Sequence, residues 1–391
     1  FPLREFMLMY YIIDVCGHKV RKELEILQIL IIFADCMAKQ LTIKQIAALA
    51  GVSAGTVDRV LHNRGRVSQE AMSAVQNVLD GQAYKYNLHT SAVAFKKTKK
   101  SLRILVSIPS SEKGEYWDLI KRGIDNALNE YSDFDIENEY IFFDQFNSLS
   151  CQSAFEAIAA EDCSAVILGT TFIEETVSLC RILKERHIPY VFVDGSVSGT
   201  KPVATFRADQ EACGHLMARL MDGLTPKDKE LALLLPKRMG TQLSNNSAIR
   251  LSSFKSYFSE KSRSRAIREE YFSANSKAEA KAEILSFLHK NPEVAGIAVG
   301  ISTGYIIADA FKDAGITDIV LGGFDVTDGN ARCVREGTLD FLINQHPETQ
   351  GFNALESMLH YLLYGAPDNT LRQLMPIDIV FKENIPFWHD V

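Results

Sequence analysis

The chain has 391 residues, 47% of them hydrophobic and 23% charged, with a net charge of −7. That length exceeds a single ordinary core and points to two or three domains, and the composition excludes the disordered and collagen-like classes. The charge is uneven: residues 37–100 hold ten Lys/Arg against three Asp/Glu, residues 1–36 hold four against five, and residues 101–391 therefore carry −13. A small basic head on a large acidic body leaves the head as the part suited to a polyanion.

Seven cysteines (Cys16, Cys36, Cys151, Cys163, Cys180, Cys213 and Cys333) are scattered, odd in number and without C-x-x-C spacing. That pattern argues against a zinc site or a disulfide framework and suits a reducing cytosol. Residues 1–36 read as a non-native or functionless leader, with Met37 as the natural start; an amphipathic helix over 21–33 is the alternative. The apolar run 24–33 is too short to span a bilayer, and no signal-peptide layout is present.

Residues 37–83 read as a small helical head. Thr42 followed by Gln45 forms a capping box, so a helix starts at Ile43, with Ile43, Ile46, Ala47, Leu49 and Ala50 on one face. Gly51 ends it by supplying a left-handed conformation. Ser53 caps a second helix over 54–61, whose Val57, Val60 and Leu61 face inward and whose Ala54, Gly55, Asp58, Arg59 and His62 face outward. Ser68 caps a third helix over 69–79. Two short helices around a glycine turn make a helix-turn-helix.

The run Thr42, Ile43, Ile46, Ala47, Ala50, Gly51, Val52, Ser53, Thr56, Val57, Arg59, Val60, Leu61, Val67 and Ser68 matches, without a gap, the head of the LacI/GalR family of bacterial transcription regulators, which this chain resembles. It departs at Asp58 and His62, where the family usually has Ser and Asn. The resemblance implies that Ala54, Gly55 and Arg59 face base edges. A two-pronged Arg–guanine contact contributes about 1–3 kcal/mol of discrimination. Asp58 accepts from a cytosine or braces Arg59, and Thr42, Ser53 and Thr56 hold phosphates through hydroxyls and helix N-termini.

Residues 84–100 fall where that family has a hinge that becomes helical on its operator and wedges a side chain into the minor groove. Asn87 matches the family pattern. Tyr86, Ser91 and Val93 replace its Pro, Arg and wedge Leu, and the shorter Val93 implies shallower kinking. A plain linker is the other reading. Lys96, Lys97, Lys99 and Lys100 suit phosphate contact or a solvated tether.

Residues 101–391 alternate between strand and helix. Strands are expected over 103–109, 135–143, 165–169, 190–195, 231–236, 266–272, 296–300, 318–325 and 339–345. Helices are expected over 116–130, 150–160, 173–186, 248–260, 277–289, 304–314 and 329–336. Short apolar strands separated by helices predict parallel sheets covered by helices. Two sheets of about six strands each would form two lobes around a cleft, with ligands at the carboxyl ends of the strands. This α/β region resembles the periplasmic-binding-protein-like core of the same family.

The cleft candidates follow strand ends. Tyr116 and Trp117 offer flat faces for a sugar ring, and Thr170, Thr171 and Asp194 close later strands. Phe206 and Asp209 are placed where the second lobe begins. The resemblance assigns Arg250, Asp325 and Gln345 as effector contacts, since carboxylates, amides and an Arg converging on a dry slot suit a polyhydroxyl ligand. Gly300 and Ile301 replace a more polar family pair. No G-x-S-x-G, H-E-x-x-H or Walker loop occurs, so no catalytic residue, metal or cofactor is expected.

The reading is a cytoplasmic, ligand-responsive, sequence-specific DNA-binding regulator, a repressor by family default. Its partners are operator duplex, a sugar or polyol effector and a second copy of itself, with no membrane. The alternatives are a periplasmic-type sugar-binding transport protein, which lacks a basic head, and an enzyme on a two-lobed fold, which needs a catalytic constellation.

Overall fold

The computed structural model describes residues 43–61, 67–68, 71–72, 75, 101–239, 244–260, 265–364 and 371–388. They belong to two units, one within residues 1–90 and one within 91–391. In the first unit, α1 (Ile43–Ala50) and α2 (Ala54–Leu61) flank a turn at Gly51. Their apolar faces meet through Ile46, Ala47 and Val57 in a small core that Val75 completes, because residues three and four apart share a helix face.

The second unit is two α/β lobes. The first lobe holds a six-stranded sheet built from β1 (Leu102–Ser107), β2 (Ile136–Tyr140), β3 (Ala165–Gly169), β4 (Tyr190–Val193), β5 (Ala204–Arg207) and, from far along the chain, β11 (Leu371–Leu374). Its order is β11-β5-β4-β3-β1-β2 and every pairing is parallel. The second lobe holds β6 (Glu230–Pro236), β7 (Ile267–Phe272), β8 (Val294–Val299), β9 (Val320–Phe324), β10 (Phe341–Asn344) and β12 (Asp378–Phe381) in the order β12-β10-β9-β8-β6-β7. Only β12 among these runs antiparallel to its neighbour. The expected pair of parallel sheets is what the chain forms.

Both faces of each sheet are covered, which explains the near-continuous apolar strands. In β6, Leu231 and Leu233 point to the core under α6 (Gln210–Leu224) and α7 (Asn245–Glu260). Ala232 and Leu234 point to the opposite core, under α8 (Lys277–Lys290), α9 (Gly304–Ala314) and α10 (Asp328–Glu336). In the first lobe, α4 (Ser148–Ala160) and α5 (Ile173–Glu185) cover one face through Phe155, Ile158, Leu179 and Leu183.

The other face of the first lobe is covered by α3 (Tyr116–Glu130) and α11 (Pro347–Tyr364). These helices cross so closely that only glycine fits at the contact. A Cβ on Gly123 would stand 1.9 Å from the Glu348 carbonyl oxygen, and one on Gly351 would stand 2.0 Å from that of Ile120.

The chain passes between the lobes three times: from β5 to α6, from β10 to α11, and from β11 to β12. The expectation that Phe206 opens the second lobe is corrected here. Phe206 lies inside β5, in register with Val193 of β4, and so belongs to the first lobe's sheet. Five strands and α-helices escaped the sequence: β5, α6, α11, β11 and β12. The strands among them have four residues each, and α11 begins on Pro347 and contains Gly351, both of which read as interruptions when contacts are unknown.

Candidate functional site

In the head, the turn closes by a bond from the Val52 amide to the Ala47 carbonyl at 3.0 Å, with Gly51 at φ +66°. Ser53 then caps α2: its hydroxyl accepts from the Thr56 amide at 3.1 Å and lies 2.8 Å from the Thr56 hydroxyl. Val57 is fully buried, while Ala54, Gly55 and Arg59 are exposed and Thr56 and Asp58 are half-buried. The Arg59 Nε donates to the Gly55 carbonyl at 2.9 Å, which lays the guanidinium along the outer face of its own helix. Ser68 caps the next segment through the Ala71 amide at 3.3 Å. Thr42, His62, Asn87 and Val93, together with the Gln45 side chain, lie outside the described residues.

In the second unit a narrow cleft lies between the lobes at the carboxyl ends of the strands, with a cavity of about 60 Å³. Of the ten candidates, Tyr116, Trp117, Thr171, Asp194, Arg250 and Gln345 line it. The other four do not. Phe206 is buried in β5, and Asp209 is occupied as the cap of α6, accepting from the Glu211 and Ala212 amides at 3.1 Å each. Thr170 and Asp325 sit one layer beneath the surface, 1% and 0% exposed. Lining residues that sequence reasoning missed include Ser111, Glu115, Gln145, Arg238, Asn246, Ser302 and Thr303. Most stand on loops, where no periodicity marks them.

Each lobe contributes one aspartate directly after an equivalent strand. Asp194 follows β4 and Asp325 follows β9, and both adopt left-handed backbone conformations, at φ 71° and 59°. Such a conformation is uncommon outside glycine and is enriched in Asp and Asn. Asp194 accepts from the Tyr116 hydroxyl at 2.6 Å. Asp325 accepts from the Ser302 hydroxyl at 2.6 Å, the Gln345 amide nitrogen at 2.9 Å and the Gln345 side chain at 2.8 Å.

Burial pushes both carboxyls above their ordinary range, with Asp325 raised to about 6 despite the opposing pull of Ser302, Arg250 and Gln345. Burial, and then the nearby Asp194 charge, push the Tyr116 phenol upward, so it remains a donor.

Arg250, 8% exposed on α7, ties the crossings together. Its Nε donates to Gln210 at 2.6 Å, one terminal nitrogen donates to Gln345 at 2.6 Å, and the other to the Gly300 carbonyl at 3.1 Å. Its plane lies 4.0 Å from the centre of the Phe324 ring. Gln210 begins α6 just past the first crossing, and Gln345 immediately precedes the second. Gln350 continues the chain of bonds, donating to the Gln345 carbonyl at 3.0 Å and accepting from the Asp194 amide at 2.9 Å. The cleft floor is therefore bonded to the segments that cross between the lobes.

Several bonds join the lobes across the cleft: Asn246 to the Asp194 carbonyl at 3.0 Å, Tyr305 to Glu115 at 2.7 Å, and the Asp328 amide to the Gly114 carbonyl at 3.0 Å. Met239 pairs with Phe146 and Ser148 through backbone bonds of 2.7 and 3.2 Å. These contacts define a closed arrangement of the lobes.

Fold and cleft together define a two-lobed small-molecule-binding protein that carries a helix-turn-helix. Residues 104–366 match the family described as periplasmic binding protein domain, and residues 42–87 match bacterial regulatory proteins of the lacI family. The chain belongs to the LacI-type transcription regulators, a helix-turn-helix head followed by a periplasmic-binding-protein domain.

Among its relatives, the HTH-type transcriptional regulator DegA of Bacillus subtilis is 26% identical over 181 residues, which cover 45% of this chain and 52% of DegA. The alignment thus spans about half of that relative. A putative LacI transcriptional regulator from Bacteroides fragilis superposes with a TM-score of 0.70 at 29% identity, covering 74% of this chain and all of that one. The transcriptional regulator CelR in complex with cellobiose shares the fold, with a TM-score of 0.55 at 17% identity over 87% of this chain and 98% of its own.

Proposed function

We propose that the chain is a ligand-responsive, sequence-specific DNA-binding regulator of transcription, a repressor, whose effector is a polyhydroxylated small molecule bound between the lobes. The observation that carries the reading is the pairing, on one chain, of a helix-turn-helix whose outward face bears Ala54, Gly55 and Arg59 with a cleft whose polar floor bonds to the lobe crossings. Outside the head, Asn87 and Val93 extend the DNA contact through the hinge. Two copies set two recognition helices into successive major grooves of a near-palindromic operator in the cytoplasm. The Bacteroides fragilis regulator and the cellobiose complex of CelR support regulation and a sugar ligand respectively.

The coupling follows from the bonds. A ligand whose hydroxyls engage Gln345, Ser302 and Arg250 competes with or reinforces the bonds that hold Gln210 and Gln345 at the crossings. It thereby favours one relative position of the lobes, and a ligand shifts an equilibrium only as far as its affinity differs between the two states. A coupling of about 1–3 kcal/mol changes operator affinity about five- to 150-fold.

The test is selection of duplexes from a random library with the full chain. Enrichment of a two-half-site motif, lost in Arg59→Ala at one base position, supports the reading; a pool that stays random contradicts it.

A further inference from the structure

Arg250 and Arg238 both line the cleft, but their surroundings differ. Arg250 uses all three of its nitrogens on neutral acceptors of the floor. Arg238, two residues past the end of β6, has one weak bond of 3.3 Å from a terminal nitrogen to the Thr171 carbonyl, and its guanidinium lies 4.3 Å from the centre of the Phe172 ring. Its Nε is buried and has no partner among the described residues. Asp144 and Glu175 act on it only through their charge, and more weakly than burial does. Burial lowers its pKa to about 10, so it remains charged at neutral pH.

Arg238 is half-buried, but its Nε is shut off from water, and a buried donor left without an acceptor is costly and seldom found in native structures. The hydroxyls of Thr171 and Thr303, also in the cleft wall, are likewise buried without a partner. The Arg fork has the spacing of a carboxylate or phosphate and binds either through two parallel bonds.

We infer that the effector carries an oxyanion, a carboxylate or phosphate on a polyhydroxyl frame, which is received by Arg238 together with the Thr171 hydroxyl. The inference rests on the proposed sugar-type effector and narrows it. Thr171 belongs to the first lobe and Arg238 to the second, so the oxyanion bridges the lobes, while the neutral hydroxyls of the ligand are left to Gln345, Ser302 and Arg250.

The test is calorimetric titration of the full chain with glucuronate, galacturonate, gluconate and glucose 6-phosphate beside neutral glucose and galactose. An acid or phosphate is expected to bind about tenfold or more tightly than its neutral parent. Arg238→Gln removes that margin and Arg238→Lys, which keeps the charge without the fork, restores part of it. Whether the acids or the phosphate show the margin identifies the oxyanion.

Equal binding of charged and neutral members overturns the inference and leaves the sugar reading standing. So does a uniform loss for both in Arg238→Gln, since the residue would then serve as a strap between lobes. If no member of the panel binds, the sugar reading itself fails, and the inference with it.

Discussion

The two lobes repeat one strand order and end it differently. Each runs second, first, third, fourth, fifth strand, and each receives one late strand at its edge, parallel in the first lobe and antiparallel in the second. Each also places an aspartate in a left-handed conformation after its fourth strand. Yet Asp194 is held by a phenol, whereas Asp325 is held by a serine, a backbone amide and a glutamine side chain. The repeat supplies two similar platforms. The divergence makes the first lobe an aromatic wall and the second a polar floor connected to the crossings through Arg250.

The largest test of this contrast is structural. The first lobe depends on the glycine crossing of α3 and α11, so Gly351→Val forces a side chain onto the Ile120 carbonyl. It should destabilise the first lobe by about 3 kcal/mol, at the upper end of overpacking effects, measured by denaturant unfolding. Gly214→Ala in the second lobe meets the Arg250 carbonyl at 2.5 Å and should cost less. A reversed order would show that the first lobe relaxes more easily than its crossing implies.

Next comes Arg250→Ala. It strands the Gln210 and Gln345 acceptors and removes a favourable charge beside Asp325. Effector affinity should fall by about 10- to 150-fold, as hydrogen bonds to charged groups contribute about 1.5–3 kcal/mol. Full retention of effector binding would remove Arg250 from the floor.

The aspartates sharpen the comparison through pH. The Asp325 pKa, about 6 in the folded chain, exceeds the ordinary unfolded value of about 3.9. The folded chain thus takes up this proton first. Lowering the pH through 6 towards 4 adds stability from this group, and raising it back removes that gain. Effector affinity should move the other way, falling below about pH 6 as the carboxylate that orients Gln345 and Ser302 is neutralised. Asp325→Asn should flatten that profile and weaken binding more than Asp194→Asn, because an amide nitrogen there would face the donors of Gln345. Equal effects in titrations from pH 5 to 8 would erase the distinction between the lobes.

The smallest expected effect lies in the head. Arg59→Ala should cost about 1–3 kcal/mol of operator binding and relax one base position; unchanged sequence preference in a competition assay would reassign it.

Much of this was legible in the residues. The glycine turn and serine cap fixed α1 and α2, and the span Tyr116–Glu130 was readable in full from its flanking strand and apolar spacing. Apolar runs such as Ala165–Gly169 marked buried strands. What stayed hidden depends on contacts distant in sequence. The strand β5 is short and ends in Arg207, so Phe206 carries no local sign that it belongs to the first lobe's sheet. The carboxylate of Asp209 caps α6 instead of entering the cleft, and its local sequence does not distinguish the two roles. Asp325 ends its strand as expected, but it lies beneath Gln345 and Ser302 rather than in the cleft wall, a placement that only the folded sheet defines. Arg238 gave no signal: a single arginine past a strand is ordinary until its neighbours are seen to leave it unpaired.

The most direct test of the central claim, that occupancy of the cleft is read out at the helix-turn-helix, is the operator dissociation constant of the full chain with and without saturating effector, by fluorescence anisotropy. The account predicts a change of about five- to 150-fold that disappears in Arg250→Ala. Identical dissociation constants in the free and effector-saturated wild-type chain would contradict it.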